Sequence, residues 1–246
     1  MRIRKMPRVL FLARSLKRCL RWIWGLFVPE LCQSCGRHLL PNENCLCRLC
    51  LDELPATMFE TIKDNDVEKR MSGRVPLFSA FSCFYFRRGE SLRTYIHGFK
   101  YHGQRELARE MGREMGRRAC RAGFLDGYDY LVPVPLHPSR LAKRGYNQSQ
   151  LIAEGVSEVS GVPVLLHAVE RVAFYGSQTH LNAEERYLNA RRDFALGPKA
   201  GLAAGRTVLI IDDVFTTGAT CEACVEPLLR IEGLRVGLAT LAYAVH

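Results

Sequence analysis

The chain has 246 residues, of which 48% are hydrophobic, so it can bury a substantial core and is expected to form one large domain plus a small module. Its formal net charge is +10, yet eight of the 35 basic residues and none of the 25 acidic residues lie within residues 1–29. The remaining chain is therefore nearly charge-balanced, which argues against a broad nucleic-acid-binding face on the main body.

Residues 1–29 form a basic segment that closes with the sequence WIWGLF. Its Arg and Lys residues interrupt the apolar run of a signal peptide, and no stretch reaches the roughly 18 apolar residues of a membrane span. The pattern predicts a basic amphipathic helix, which could lie on an anionic membrane surface or on nucleic acid. The alternative is that its aromatic end packs on the next module while its basic start is solvated.

Five of the ten cysteines lie within residues 32–50, and their spacing predicts a structural zinc site. Without a secretory signal, the expected compartment is a reducing cytoplasm, with the basic segment as a candidate contact to the inner face of the membrane. Two CxxC turns can supply four thiolates to one tetrahedral zinc ion, which leaves no open position for catalysis. Cys45 and His38 are competing ligands, and a redox CxxC is the alternative role. The predicted ligands are Cys32, Cys35, Cys47 and Cys50.

Farther along the chain, segments typical of strands and helices alternate. Strands are predicted near residues 76–86, 129–137, 162–172, 192–197, 206–213 and 235–245. Helices are predicted near residues 90–123, in two pieces broken near Gly98–Gly103, and near 147–161 and 219–233. This alternation predicts an α/β fold, with a mostly parallel sheet and helices on both faces. Ligands of such sheets bind at the carboxyl ends of the strands.

The stretch VLIIDDVFTTGATC, residues 208–221, places two carboxylates directly before a small polar loop that opens a helix. Loop amides and a helix N-terminus suit a phosphate, and threonine hydroxyls add donors. The carboxylates of Asp212 and Asp213 can accept hydrogen bonds from a ribose diol or support a divalent metal ion. The pattern therefore predicts a sugar-phosphate site. Its residues are Asp212, Asp213, Thr216, Thr217, Gly218, Ala219 and Thr220.

The same stretch resembles the phosphoribosyl-diphosphate (PRPP) signature of type I phosphoribosyltransferases. Over residues 26–246 the chain also resembles the ComF family, whose motifs occur here in the family's order. Those motifs are LCQSCG, CRLCLDELP, FKYHG, VPVPLHPSRLAKRGYNQSQLIA and QTHLNAEERYLNARRDFAL. The resemblance implies a phosphoribosyltransferase-like domain preceded by a zinc knuckle. The predicted parts are a basic segment 1–29, a knuckle 30–56, a linker 57–75 and the large domain 76–246.

The resemblance also implies roles for further residues. The segment VPVPLHPSRLAKRGYNQ would face the diphosphate of PRPP, where Gly145 would allow close backbone approach. The candidate cations there are Arg140, Lys143 and Arg144, each of which is otherwise a solvated surface charge. Asn147 and Gln148 could donate hydrogen bonds or cap the following helix. A mobile loop that closes over such sites would include Gln178, Thr179, Leu181, Arg186 and Asn189.

Two further features are a weaker pair of candidate site residues and one departure from the family pattern. Lys100 and Tyr101 of FKYHG are weaker candidates for the site, because a lysine after a helix break is commonly just exposed. Pro227 removes a backbone donor from the helix that follows the phosphate loop, so this helix is expected to bend there.

The function implied by the resemblance is binding of PRPP, or a related ribose phosphate, with Mg²⁺ in a protein that serves DNA uptake during natural transformation. An enzyme of this kind would transfer the phosphoribosyl group to an acceptor that the sequence does not identify, with Asp212 and Asp213 as candidate catalytic residues. The alternative is a non-catalytic, PRPP-responsive factor. Such a factor would bind single-stranded DNA, or protein partners of the DNA-uptake machinery, through the knuckle, the basic segment or both.

Overall fold

The computed structural model describes residues 30–87, 91–172 and 193–245. The chain divides into two compact units, Met1–Asp52 and Glu53–His246. The predicted basic segment 1–29 and the loop predicted to close over the site, with Gln178, Thr179, Leu181, Arg186 and Asn189, lie outside the described residues. Within the described ranges, no helix is both long enough and apolar enough to cross a membrane.

The described part of the smaller unit, residues 30–52, contains two tight turns, each of which carries a CxxC sequence. In the first turn, the N–H of Gly36 donates to the carbonyl of Cys32 at 2.9 Å. Gly36 has φ +71°, a left-handed conformation that glycine adopts without steric cost. The second turn leads into helix α1 (Arg48–Asp52), so Cys50 is held by the first turn of this helix.

The larger unit contains a four-stranded parallel sheet. Its strands are β1 (Ala80–Phe86), β2 (Tyr130–Pro133), β5 (Thr207–Phe215) and β6 (Arg235–Ala244), in the spatial order β1-β6-β5-β2. Residues 208–211 at the start of β5 are fully buried, as expected for a continuous apolar run in a central parallel strand. The predicted mostly parallel sheet is confirmed.

Helices connect and cover the strands, and short polar side chains begin several of them. The helices of this unit are α2 (Asp66–Met71), α3 (Ser91–Tyr101), α4 (Arg105–Arg121), α5 (Pro138–Arg144), α6 (Gln148–Ser160) and α7 (Ala219–Leu228). Asn65 caps α2 by accepting from the N–H groups of Val67 and Glu68, and Asn147 caps α6 by accepting from that of Ser149. Pro138 opens α5, where a missing N–H costs nothing.

Two glycines let α4 and α6 pack with their backbones in close contact. A Cβ atom on Gly112 would lie 2.2 Å from the carbonyl oxygen of Ile152, and one on Gly155 would lie 2.1 Å from that of Arg109. No side chain larger than hydrogen fits at either position without moving the helices apart. This packing fixes α6, whose first turn reaches the carboxyl end of β5 through Ser149.

Three features differ from the sequence-based expectations. Residues 57–75, predicted as a linker, carry a 3-10 helix (Phe59–Thr61) and α2, and they bury Val67 and Met71. Within the predicted strand 162–172, only β3 (Val169–Arg171) forms a strand. It pairs antiparallel with β4 (Phe194–Leu196) in a separate two-stranded sheet.

Pro227 is the third difference. It lies one residue before the end of α7, so its missing N–H falls in the last turn of the helix. The helix therefore ends near this proline instead of bending and continuing.

Candidate functional site

The paired acids lie at the carboxyl end of β5, and both are buried. Asp212 Oδ1 accepts a hydrogen bond from Ser149 Oγ at 2.9 Å and another from the backbone N–H of Asp213 at 2.8 Å. The ammonium group of Lys100 lies 2.9 Å from Oδ1 and 2.8 Å from Oδ2 of Asp213. Each carboxylate therefore has its own partner, one from α6 and one from the end of α3.

The carboxyl group of Asp212 ionises less readily than that of an ordinary aspartate. Burial, together with the negative charge of Asp213, raises the pKa of Asp212 from 3.8 to about 7. The backbone N–H of Asp213, the charge of Lys100 and the hydroxyl of Ser149 oppose this rise without cancelling it. Asp212 consequently titrates near neutral pH, which is typical of carboxyl groups at functional sites.

The backbone beside Lys100 is anchored to the loop before α6. The hydroxyl of Tyr146 donates to the carbonyl of Phe99, and the Phe99 side chain is fully buried. The guanidinium of Arg144 lies over the ring of Tyr101, 5.7 Å from its centroid. Lys100 was among the weaker candidates from the sequence, and the structure brings it directly to the acid pair.

The predicted phosphate loop follows β5 and opens α7. Thr216, Thr217 and Thr220 are exposed, while Gly218 is buried at the N-cap of the helix with φ +81°. A Cβ atom on Gly218 would lie 2.8 Å from Met71 Sδ and 3.0 Å from Phe215 Cζ, and the positive φ would strain any other residue, so this position favours glycine. The exposed hydroxyls and the first amides of α7 form a surface that suits an anionic oxygen group.

Two arginines from the segment at α2 hold this loop by its carbonyl groups. Arg70 Nη1 donates to Thr216 O at 3.3 Å, and Arg74 Nη1 donates to Thr217 O at 2.5 Å. Arg74 Nε also donates to a carboxylate oxygen of buried Glu222 at 2.8 Å. These contacts occupy loop carbonyl groups and leave the threonine hydroxyls free to donate to a ligand, whereas the N–H of Ala219 donates to Thr217 Oγ1 at 3.4 Å.

Removing this clamp is expected to loosen the loop and destabilise the domain. In an Arg74→Met variant, the loss of charge-assisted hydrogen bonds to Glu222 should lower the free energy of unfolding by about 1–3 kcal/mol. Thermal or urea unfolding would measure the change. The double variant Arg74→Met/Glu222→Gln should recover part of the loss, because the buried acid is then neutral. A stability of Arg74→Met equal to that of the wild type would contradict this role of Arg74.

The predicted diphosphate-facing cations lie on α5 and at its end. Arg140 and Lys143 are exposed, whereas Arg144 is half-buried and hydrogen-bonded to the side-chain oxygen of Gln148. Gly145 ends α5 with φ +76°. The structure therefore places Arg144 beside Tyr101, one residue from Lys100, and leaves Arg140 and Lys143 open to solvent.

In the smaller unit, the four predicted cysteines converge. Cys32 Sγ lies 3.9 Å from Cys50 Sγ, Cys35 Sγ lies 3.7 Å from Cys47 Sγ, and all four sulfur atoms lie within 4.8 Å of one another. A zinc tetrahedron with Zn–S bonds of about 2.3 Å has S···S edges of about 3.8 Å, so these distances fit. Cys45 is buried but does not belong to the group, and neither does His38.

The chemistry of these donors also suits a cation. Burial raises the pKa of Cys32, but backbone N–H groups such as that of Cys47, 3.3 Å from its sulfur, outweigh burial and bring the pKa to about 6. Burial raises the pKa of Cys50 to about 12. Because thiolates at this spacing repel one another, the cluster can ionise fully only around a positive ion.

Comparison with known proteins places the larger unit in a family. Residues 141–246 match the phosphoribosyl transferase domain family. The chain is 34% identical over 149 residues to Competence protein F of Haemophilus influenzae, covering 59% of this chain and 64% of that protein. It is 25% identical over 202 residues to Competence protein ComFC of Bacillus subtilis, covering 82% and 78% of the two chains. These matches support the predicted resemblance to the ComF family.

A further relative carries a different name. The DNA utilization protein YhgH of Escherichia coli is 32% identical over 142 residues, which cover 56% of this chain and 61% of that protein. The chain thus matches less than two thirds of the length of this protein and of the Haemophilus protein. The matched domain contains the acid pair, the loop and Ser149, but it begins after Arg70, Arg74 and Lys100.

Proposed function

We propose that this ComF-like protein binds PRPP, or a related ribose phosphate, with Mg²⁺ at the carboxyl end of β5. The observation that carries the proposal is the sequence of groups along one short segment. The buried acids Asp212 and Asp213 are followed, after two residues, by an exposed hydroxyl-bearing loop that opens α7. The carboxylates suit a ribose diol and the loop suits its 5-phosphate.

The Mg²⁺ ion of this proposal fits the residues present, because it prefers oxygen ligands and commonly binds through one or two carboxylates plus phosphate oxygens. Asp212 and Asp213 are the groups that would hold it, directly or through water. When bound, the ion would neutralise charge on the diphosphate. Arg140, Lys143 and Arg144 are proposed to contact the diphosphate oxygens, since cations beside phosphate stabilise its negative charge.

The proposed role of zinc is to hold the fold of the smaller unit. Four cysteine sulfurs at tetrahedral spacing support this role, because a complete thiolate shell leaves no position for a substrate. The proposed biological setting is DNA utilisation, which is supported by the names of the relatives and by no described residue.

Calorimetric titration with PRPP in the presence and absence of Mg²⁺ tests the binding proposal. We expect saturable binding that depends on Mg²⁺, and the absence of binding in both conditions would contradict the proposal. A coupled assay for diphosphate release then separates the two forms of the function. Release with an acceptor present identifies a transferase, whereas binding without release identifies a PRPP-responsive protein.

The same binding experiment extends to DNA. If PRPP acts as a signal for DNA handling, its addition should change the affinity of the full chain for single-stranded DNA at fixed salt concentration. Fluorescence anisotropy of a labelled oligonucleotide would measure this change. Equal DNA affinity with and without PRPP would mean that PRPP binding does not regulate DNA binding.

A further inference from the structure

We propose that Lys100 is a built-in counter-cation of the acid pair, which keeps bare divalent cations out of the site and favours a metal ion that arrives with an anionic phosphate ligand. This inference rests on the proposed function, because it specifies how the same site selects its ligand. Lys100 would act there as a positioning and binding residue.

The contact that carries the proposal is the ion pair between Lys100 and Asp213. The ammonium nitrogen lies within 2.9 Å of both carboxylate oxygens, so it occupies the space in which a divalent cation would approach that carboxylate from the same side. The side chain of Lys100 is 22% exposed and that of Asp213 is 7% exposed. The carboxylate of the pair is therefore largely shielded from water, while the lysine side chain remains partly exposed.

The position of Lys100 is fixed by its neighbours in the chain. Phe99 is fully buried, and its carbonyl accepts a hydrogen bond from Tyr146 in the loop before α6. Tyr101, on the other side of Lys100, lies under the guanidinium of Arg144. The ammonium group is consequently delivered to Asp213 by an anchored segment, which makes the ion pair a feature of the folded domain.

The charge of Lys100 acts differently on a bare divalent cation and on a metal ion that is already bound to PRPP. A bare dication near the acids experiences repulsion from the ammonium group at short range, and burial makes this repulsion stronger than it would be in water. A magnesium complex of PRPP carries net negative charge, so the same ammonium group attracts it and can donate a hydrogen bond to a phosphate oxygen. One lysine thereby opposes the first ligand and supports the second.

The test compares wild-type full chain with a Lys100→Met variant in two separate titrations. In the first, Mn²⁺ alone is added and the free ion is followed by electron paramagnetic resonance. Removing the ammonium group should strengthen Mn²⁺ binding about tenfold or more. In the second, PRPP with Mg²⁺ is added, and the variant should bind about tenfold more weakly.

Matched variants keep the result interpretable. Lys100→Arg retains the charge and should resemble the wild type in the Mn²⁺ titration. Lys199→Met removes an exposed lysine before the 3-10 helix Ala200–Ala203 and should change neither titration. If Lys100→Met does not fold, Lys100→Gln can still donate a hydrogen bond to Asp213, and it should show both shifts with the same signs.

The directions of the changes in Mn²⁺ affinity and in PRPP affinity decide whether Lys100 acts as a counter-cation. Unchanged or weakened Mn²⁺ binding in folded Lys100→Met or Lys100→Gln would overturn the proposal, because the lysine would then only stabilise the fold. If wild-type protein fails to bind PRPP but Lys100→Met gains Mn²⁺ affinity, the counter-cation role stands and the proposed ribose phosphate ligand is wrong.

Discussion

Replacing Asp212 and Asp213 together by asparagine is expected to weaken Mg²⁺-dependent PRPP binding at least about a hundredfold. The amides keep the shape of the site but lose its negative charge and its strongest acceptors. Each lost charge-assisted hydrogen bond is worth about 1.5–3 kcal/mol, and two of them account for this factor. Isothermal titration calorimetry with PRPP and Mg²⁺ would measure the loss, and unchanged affinity would exclude these acids from the ligand site.

The stability of the single variant Asp212→Asn, measured against pH, shows how this site affects folding. The direction of the expected change follows from the pKa of Asp212. The pKa of Asp212 is raised to about 7 in the folded chain, from 3.8, mainly by burial. The protonated acid therefore stabilises the fold fully below about pH 4, and this contribution is lost as the pH rises through 7. Asp212→Asn should show a smaller loss of stability between pH 5 and pH 8 than the wild type. A steeper loss in the variant would show that burial of this carboxylate does not oppose folding.

The parts of the site that could be predicted are those that neighbouring residues specify. The acids and the loop lie within one run of residues, 208–221, and the strand, turn and helix that position them are consecutive. The cysteines are likewise predicted from two short turns, and the structure brings those sulfur atoms together. In both cases the chain itself places the groups side by side, so a local pattern carries the geometry.

The sequence does not predict Ser149 as a partner of the acids and gives Lys100 only as a weaker candidate, because both residues lie in distant segments. Lys100 is 113 positions from Asp213, and Ser149 is 63 positions from Asp212. A single lysine or serine on a helix has no pattern that distinguishes it from a solvated residue. Only the parallel order of the strands and the close packing of α4 on α6 bring these side chains to the end of β5.

The segment 57–75 was misjudged because its polar composition hides a short amphipathic helix. Val67 and Met71 are four residues apart, which places them on one face of α2, and Asn65 is a favourable N-cap. That signal was available in the sequence. The contacts of Arg70 and Arg74 with the loop carbonyl groups were not, since the loop lies more than 140 positions away.

For residues 162–172 the error is the opposite one. Their apolar composition predicts a long strand, but only residues 169–171 form a strand. Leu165 and Ala168 are buried, yet the segment makes only an isolated parallel bridge to β2, between Val164 and Leu131, before β3 begins at Val169. Burial alone thus does not distinguish a strand from an irregular segment that packs on the sheet edge.

Replacing Cys47 by serine is expected to remove zinc from the protein and to unfold the smaller unit. Wild-type protein should contain about one zinc ion per chain, and the hydroxyl of serine is a poor substitute for a thiolate ligand. Structural zinc contributes about 10–16 kcal/mol of binding free energy in small zinc domains, so a unit of this size depends on it for folding. Metal analysis by mass spectrometry and proteolysis of residues 30–52 would measure both effects.

Cys45 provides a matched control within the same turn. It is buried like Cys47 and two residues away, but its sulfur does not belong to the four-sulfur group. Cys45→Ser should therefore retain about one zinc ion per chain, while Cys47→Ser loses it. The larger unit should stay folded in both variants, because Glu53–His246 forms a compact unit of its own. If Cys45→Ser loses zinc and Cys47→Ser retains it fully, then Cys45 is the fourth zinc ligand in place of Cys47.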